Sequence, residues 1–252
     1  MGNRKKSDIN FGLIVAAGAI DDYAAHRNIL TTLPAPDRIY CADGGLRHAA
    51  QLGITPDLIL GDFDSADPGM LEQYKISGAP FETHPADKDF TDTELAAERA
   101  VLDGCGVILV FGAFGARIDH AYTNLQMLYK FASRGVRMAL ADSYGAAAVL
   151  LPGAELRIDA REPVASLLGY GESETLRAAN DGAGAVFKDL KISLLPIGGP
   201  ARGVRASGLK YKLDGADFEK FYTSGVSNEF TGNTASIELG EGALLVMICP
   251  GG

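Results

Sequence analysis

The stretch LILGDFDS, Leu58 to Ser65, is an apolar run that stops on two carboxylates one residue apart. A short apolar run closed by turn-forming residues reads as a buried strand, and a strand buried on both faces belongs to a parallel sheet. Asp62 and Asp64 then stand at the carboxyl edge of that sheet, where open α/β sheets bind their ligands. A side-chain period of two puts both on one side if the segment stays extended.

The same grammar recurs on either side of this stretch. FGLIVAAG from Phe11, RIYCADGG from Arg38, PFETHP from Pro80, VILVFGA from Val107 and RMALADS from Arg137 are β-like runs with amphipathic segments between most of them. Helices are expected at Asp92–Asp103, with Leu95, Ala96, Arg99 and Leu102 near one side, and at Asp119–Arg134, with Leu125, Leu128 and Phe131 facing the core. Past Leu151-Pro152-Gly153 the rhythm changes to short runs (ELRIDA, VASLLGYG, KYKLD, ASIEL, ALLVMI) separated by turn residues. The expected fold is α/β over residues 1–150, a mostly parallel sheet flanked by helices. A C-terminal antiparallel β-sandwich follows over 151–252.

Composition narrows the function classes. The chain has 252 residues, 47% hydrophobic and 22% charged, and no apolar stretch near the ~20 residues a membrane helix needs. MGNRKKS followed by FGLIVAAGAI imitates a secretory signal, but the run is short, holds two glycines and meets Asp21 and Asp22 at once, as a first strand would. Lys6 stands where a myristoylation pattern requires Ser or Thr. Cys41, Cys105 and Cys249 are an odd, scattered set without zinc spacing, which fits reduced thiols in the cytoplasm. A net charge of −9 argues against a general nucleic-acid binder, so a phosphate ligand must be held by local cations or a metal.

Several aspartates follow strand-like runs and so share the rim with the first pair: Asp43, Asp92 and Asp119. Each taken singly is an ordinary helix or turn cap. Converging on one crevice they repel one another, and a divalent cation relieves that repulsion. Mg²⁺ in particular combines carboxylates with substrate phosphates. Lys88 and Arg117 supply nearby cations, Arg117 after the glycines of GAFGAR. Neither a Walker A sequence nor a dinucleotide fingerprint is present. The residues therefore point to a Mg²⁺-dependent site for a phosphorylated small molecule and leave the substrate open.

Five blocks resemble the thiamine pyrophosphokinase family, bacterial type, in its order. They are ADGG at 42–45, GITPDLILGDFDS at 53–65, DKDFTDTELA at 87–96, GARIDH at 115–120 and GVSNEFTG at 225–232. The resemblance implies an α/β nucleotide-binding catalytic domain at 1–150 and a thiamine-binding β-sandwich at 151–252. It implies transfer of the β,γ-diphosphoryl group of ATP to thiamine, and a homodimer with thiamine between the subunits. Asp43, Asp62, Asp64 and Asp92 match the Mg²⁺ and phosphate-handling carboxylates, with Asp62, Asp64, Asp92 and Arg117 at the chemistry. Lys88, Thr91, Arg117, Asp119 and His120 fall on the ATP side, with the opening of a helix the favoured role for His120. Ser227 and Asn228 match the segment that reaches thiamine. Two departures stand out: the glycine pair expected before Arg117 is Gly115-Ala116, and the absence of Trp leaves any stacking on thiamine to Phe or Tyr, with Phe230 a candidate. A pterin pyrophosphokinase is the alternative enzyme and a binding module without turnover the non-enzymatic one.

Overall fold

The computed structural model describes residues 10–63, 68–76, 78–85, 89–115, 117–170 and 189–251. Asp64, Lys88 and Ala116 lie outside the described residues. Six apolar runs form parallel strands: β1 (Asn10–Val15), β2 (Arg38–Ala42), β3 (Leu58–Gly61), β4 (Phe81–Thr83), β5 (Cys105–Phe111) and β6 (Arg137–Asp142). Their order across the sheet is β6-β5-β1-β2-β3-β4. The chain thus builds outward from β1 through β4, then returns to the other side of β1 for β5. The loops after β1 and β5 diverge at that reversal and open a crevice at the carboxyl ends. The FGLIV segment is the central strand, with Phe11, Leu13, Ile14 and Val15 essentially inaccessible. Removing each such side chain from water stabilises the fold by about 1.5–3 kcal/mol.

Helices α1 (Tyr23–Thr31), α2 (Leu46–Leu52), α3 (Pro68–Ile76), α4 (Asp92–Leu102) and α5 (Ile118–Ala132) link these strands. Their ends carry local signals. Asp22 accepts from the Ala25 amide at 2.9 Å as N-cap of α1, and Gly53 ends α2 with φ of 73°. The burial of α4 differs from the sequence expectation: Thr93, Ala96, Ala97 and Ala100 are buried, whereas Leu102 is 81% exposed. α4 lies against β1, β2, β3 and β5, and small side chains allow that close approach.

The second half attaches to the same sheet. β7 (Gly145–Leu150) forms an antiparallel hairpin with β6, and β14 (Leu244–Cys249), β9 (Lys191–Pro196) and β12 (Asn228–Glu229) extend it, giving ten strands in all among the described residues. A separate antiparallel sheet runs β11-β10-β13-β8, from Leu213–Phe218, Ala201–Ser207, Thr234–Glu238 and Leu156–Asp159. Ile192, Leu194, Val246 and Ile248 of the first sheet share one core with Val204, Ala206 and Ile237 of the second, so the antiparallel part is a sandwich. Strands from both sides of residue 150 belong to one sheet.

Two local expectations fail. VASLLGYG is not a strand: Pro163–Leu167 is a short helix, α6, with proline in its first turn and every residue buried, so no polar face marks its period. KYKLD enters a strand only at Leu213. The three cysteines are free, with Cys249 exposed. No described helix is long and apolar enough to cross a membrane.

Candidate active site

The crevice between β1 and β5 is a cleft of about 440 Å³. Asp43, Thr91, Asp92, Arg117 and His120 line it, together with the glycines of the loops after β1, β2 and β5. The glycines are required by close backbone approach. A Cβ at Gly18 would lie 2.2 Å from the Gly112 carbonyl oxygen, and one at Gly45 would lie 2.1 Å from that of Val15. The result is a wall of closely packed main chain, with no side chain at Gly18, Gly44, Gly112 or Gly115 to keep a ligand away from it.

Asp43 leaves β2 into a 3-10 turn, Asp43–Gly45, with φ of 44°. Gly61, the last residue of β3, packs so closely that a Cβ there would come within 3.1 Å of Asp43 Cα. This contact brings the end of β3, and Asp62 after it, beside Asp43. Phe63 then takes φ of 60°, and its ring meets Phe81 edge-on at 5.5 Å. The extended alternation assumed for Asp62 and Asp64 therefore ends at Phe63, and Asp62, which follows the carboxyl end of β3, is not among the residues lining the cleft. Four non-glycine residues have positive φ among the described residues, and three of them, Asp43, Phe63 and Ser227, sit in or next to the sequence motifs. Such conformations cost about 1–3 kcal/mol each and collect at functional sites.

On the opposite wall, Thr91 is the N-cap of α4, its Oγ1 accepting from the Glu94 amide at 3.2 Å. Asp92 is the first helical residue and lines the cleft, so capping and rim-facing fall to neighbouring residues. Arg117 precedes α5 and makes a two-point ion pair with Asp119, at 3.2 Å from Nε and 2.5 Å from Nη2. The guanidinium holds the Asp119 carboxyl at about 2. Both side chains are mostly exposed, so an incoming phosphate can compete for Arg117. Asp119 also accepts from the His120 amide at 3.0 Å.

Two contributors escaped the sequence reading. Asn124 is buried, and its Nδ2 donates to the Ala113 carbonyl at 2.9 Å, which fixes the loop after β5. Arg47, the second residue of α2, also lines the cleft. Its cue in the sequence was its place two residues after ADGG, at the start of a helix entering the rim.

Ser227 and Asn228 lie elsewhere. Asn228 begins β12, six strands from β1 in the sheet, or about 29 Å at ~4.8 Å per strand. Its side chain is committed to the main chain: Oδ1 accepts from the amides of Tyr211 and Glu229, and Nδ2 donates to the Tyr211 carbonyl at 2.7 Å. The Ser227 amide donates to Ser193 Oγ at 3.1 Å. Phe230 packs against the core, whereas Tyr211, Phe221 and Tyr222 are exposed.

Residues 32–140 match the family model described as thiamin pyrophosphokinase, catalytic domain, and residues 187–244 match that described as thiamin pyrophosphokinase, vitamin B1 binding domain. The chain belongs to the thiamin pyrophosphokinase family. Among its relatives is the thiamine pyrophosphokinase of Bacillus subtilis, 25% identical over 205 residues, covering 81% of this chain and 84% of that protein. The crystal structure of a Bacillus subtilis thiamine pyrophosphokinase superposes with a TM-score of 0.75 at 22% identity, over 96% of this chain and all of that one. The Candida albicans thiamin pyrophosphokinase has the same fold, with a TM-score of 0.71 at 16% identity over 96% of this chain and 90% of that one. In this family's terms, the catalytic-domain match contains the whole cleft wall from Asp43 to His120, and the vitamin B1-binding match contains Ser227 and Asn228.

Proposed function

We propose that this chain is an ATP:thiamine diphosphotransferase that forms thiamine diphosphate and AMP. The observation that carries the reading is the cleft at the sheet reversal. Its main-chain wall suits phosphates, and Asp43, Asp92 and Arg117 bring both signs of charge to bear on them. An adjoining apolar pocket of about 630 Å³, which shares Ala19 and Gly115 with the cleft, has room for the adenine.

The donor chemistry fits Mg²⁺. Among the described residues no three His, Cys, Asp or Glu side chains form a ligand set by themselves, yet Mg²⁺ is commonly held by one or two carboxylates plus substrate phosphates and water. Asp43 and Asp92, with Asp62 beside Asp43, are such carboxylates, and Asp64 is the fourth candidate. When bound, the ion neutralises charge on the transferring phosphates. The chain itself orients the reactants. Arg117 exchanges Asp119 for phosphate oxygens, Lys88 adds a second cation, and Thr91 and His120 border the nucleotide. The thiamine hydroxyl oxygen attacks the β-phosphorus in line, the bond from that phosphorus to the bridging oxygen of AMP breaks, and Asp92 orients the hydroxyl and receives its proton.

The thiamine side comes from a second copy. Ser227 and Asn228 lie at β12, five to six strands from the β5–β1 crevice of their own chain, or about 24–29 Å at ~4.8 Å per strand, too far to share one ligand with that crevice. A homodimer that sets this edge of one chain against the cleft of the other completes the site, with residues 1–150 as the catalytic part and 151–252 as the thiamine-binding part. Free thiols fit a cytoplasmic setting.

The experiment is a joint measurement of AMP and thiamine diphosphate from ATP and thiamine, with and without Mg²⁺. Equimolar products that require the metal are expected. ADP in place of AMP, or turnover of a pterin in place of thiamine, overturns the assignment. Mixing inactive Asp92→Asn and Ser227→Tyr chains should restore part of the activity if the site is shared, and no recovery overturns the shared site.

A further inference from the structure

Arg47, like Arg27 and Arg137, donates to a main-chain carbonyl and has no carboxylate partner among the described residues, and of these three it is the one that lines the cleft. Arg99, Arg117, Arg134 and Arg161 each hold a carboxylate, respectively Glu82, Asp119, Glu98 and Asp159. Among the described residues Arg47 has none, although it lines a cleft that contains Asp43 and Asp92. Its Nη2 donates to the Ala17 carbonyl at 2.9 Å, and its Nε donates to His48 Nε2 at 3.3 Å. His48 Nδ1 and the Tyr23 hydroxyl share a hydrogen bond of 2.8 Å whose direction follows the imidazole tautomer. His48 is 3% exposed. Two of the five guanidinium N–H groups are thus used to fix the plane of the fork, and three remain for a ligand in the cleft. The cleft gains a cation that holds no carboxylate among the described residues, in a chain whose overall charge is −9.

We propose that Arg47 is a phosphate-binding residue of the nucleotide cleft and that His48, fixed by Tyr23, is the positioning residue that holds its guanidinium there. The inference rests on the nucleotide reading above and goes beyond it, because Arg47 lies outside the five sequence blocks from which that reading starts. The groups facing His48 are Tyr23 and His26 from α1, Arg47 from its own helix, and the carbonyls of Ala17 and Gly18 from the loop after β1. Burial and the Arg47 charge both hold the His48 imidazole below the ordinary histidine range. Protonation of Nε2 would remove the acceptor for Arg47 Nε and set a second positive charge against it. The hold on Arg47 is therefore complete at neutral pH and is lost only in acid.

The test reads ATP binding by calorimetry and turnover separately. Arg47→Ala should weaken ATP binding by about 10- to 100-fold, the range for a charge-assisted contact, while leaving the KM for thiamine within about twofold. Arg47→Lys should recover only part, since it lacks the donor fixed by His48. His48→Gln keeps one acceptor and one donor, so it should bind ATP nearly as the parent does at neutral pH and lose the acid fall in affinity. His48→Leu should raise the KM for ATP, and its effect should not add to that of Arg47→Ala. Thermal unfolding checks each variant, and if His48→Leu does not fold, the Gln variant and Tyr23→Phe carry the test. Parent-like ATP affinity in a folded Arg47→Ala protein overturns the phosphate role, and fully additive losses overturn the positioning role. Because binding is read without turnover, a parent chain that binds ATP and forms no AMP overturns the reaction above while the Arg47 comparison still decides this inference.

Discussion

Asp142 gives the most quantitative prediction. It is the last residue of β6 and only 1% exposed. Oδ1 accepts from the Tyr144 amide at 2.8 Å, whereas Oδ2 is buried with no partner. Burial, with the neighbouring Asp21 charge as a smaller contributor, pushes the carboxyl from 3.8 up to about 6. Between those values the native chain keeps a proton that the unfolded chain has released, so stability falls as pH rises through the window. The loss is complete above about 6. The rise corresponds to about 3 kcal/mol. Asp142→Asn abolishes this titration and keeps the Oδ1 acceptor. Its own cost, an amide N–H without an acceptor, is about 1–3 kcal/mol and does not vary with pH, so it cancels when two pH values are compared. Urea unfolding of parent and variant at pH 4 and pH 7.5 should show the difference between them shifting by about 2.4 kcal/mol in favour of the variant at the higher pH, the rest having been lost already at pH 4. A difference that stays constant across the two conditions would refute the reasoning.

Asp43→Asn and Asp92→Asn should lower kcat by at least about 100-fold at unchanged melting temperature, and EDTA should stop the parent enzyme reversibly, with Mg²⁺ restoring AMP formation. Gly115→Ala places a methyl 2.5 Å from the Ala19 amide nitrogen and 2.7 Å from Gly18 Cα, both main chain. It should raise the KM for ATP and cost about 1–3 kcal/mol of stability, read by steady-state kinetics and urea titration. Asn124→Leu leaves the Ala113 carbonyl without its donor and should cost about 1–3 kcal/mol, with a rise in the KM for ATP as the loop after β5 loosens.

The parallel half was legible because β1, β2, β3, β5 and β6 are apolar runs that end on Gly or Asp or meet one within three residues, and that pattern survives folding unchanged. β7 was not, because Ala146 to Ala148 carry little strand signal and its assignment comes from hydrogen bonds to β6 and β14. α6 was hidden by burial on every side, and the buried face of α4 by its alanines. Within the site, Asp43 and Asp92 were readable as acids at strand ends or helix starts. Arg47 was not, because its role depends on His48 and on a carbonyl thirty residues away. Asn228 shows the converse: its motif was visible, but its amide is spent on the Tyr211 main chain.

The uninterrupted ladder from β4 to β12 has a mechanical consequence. β7 is bonded on one side to β6 and on the other to β14, so the two halves cannot swing about a hinge near residue 150 without tearing a row of main-chain bonds. Clamshell closure of the kind seen in two-lobed transferases is therefore unavailable to this plate, and exclusion of water during turnover must fall to elements smaller than a lobe, such as the short loops at the rim.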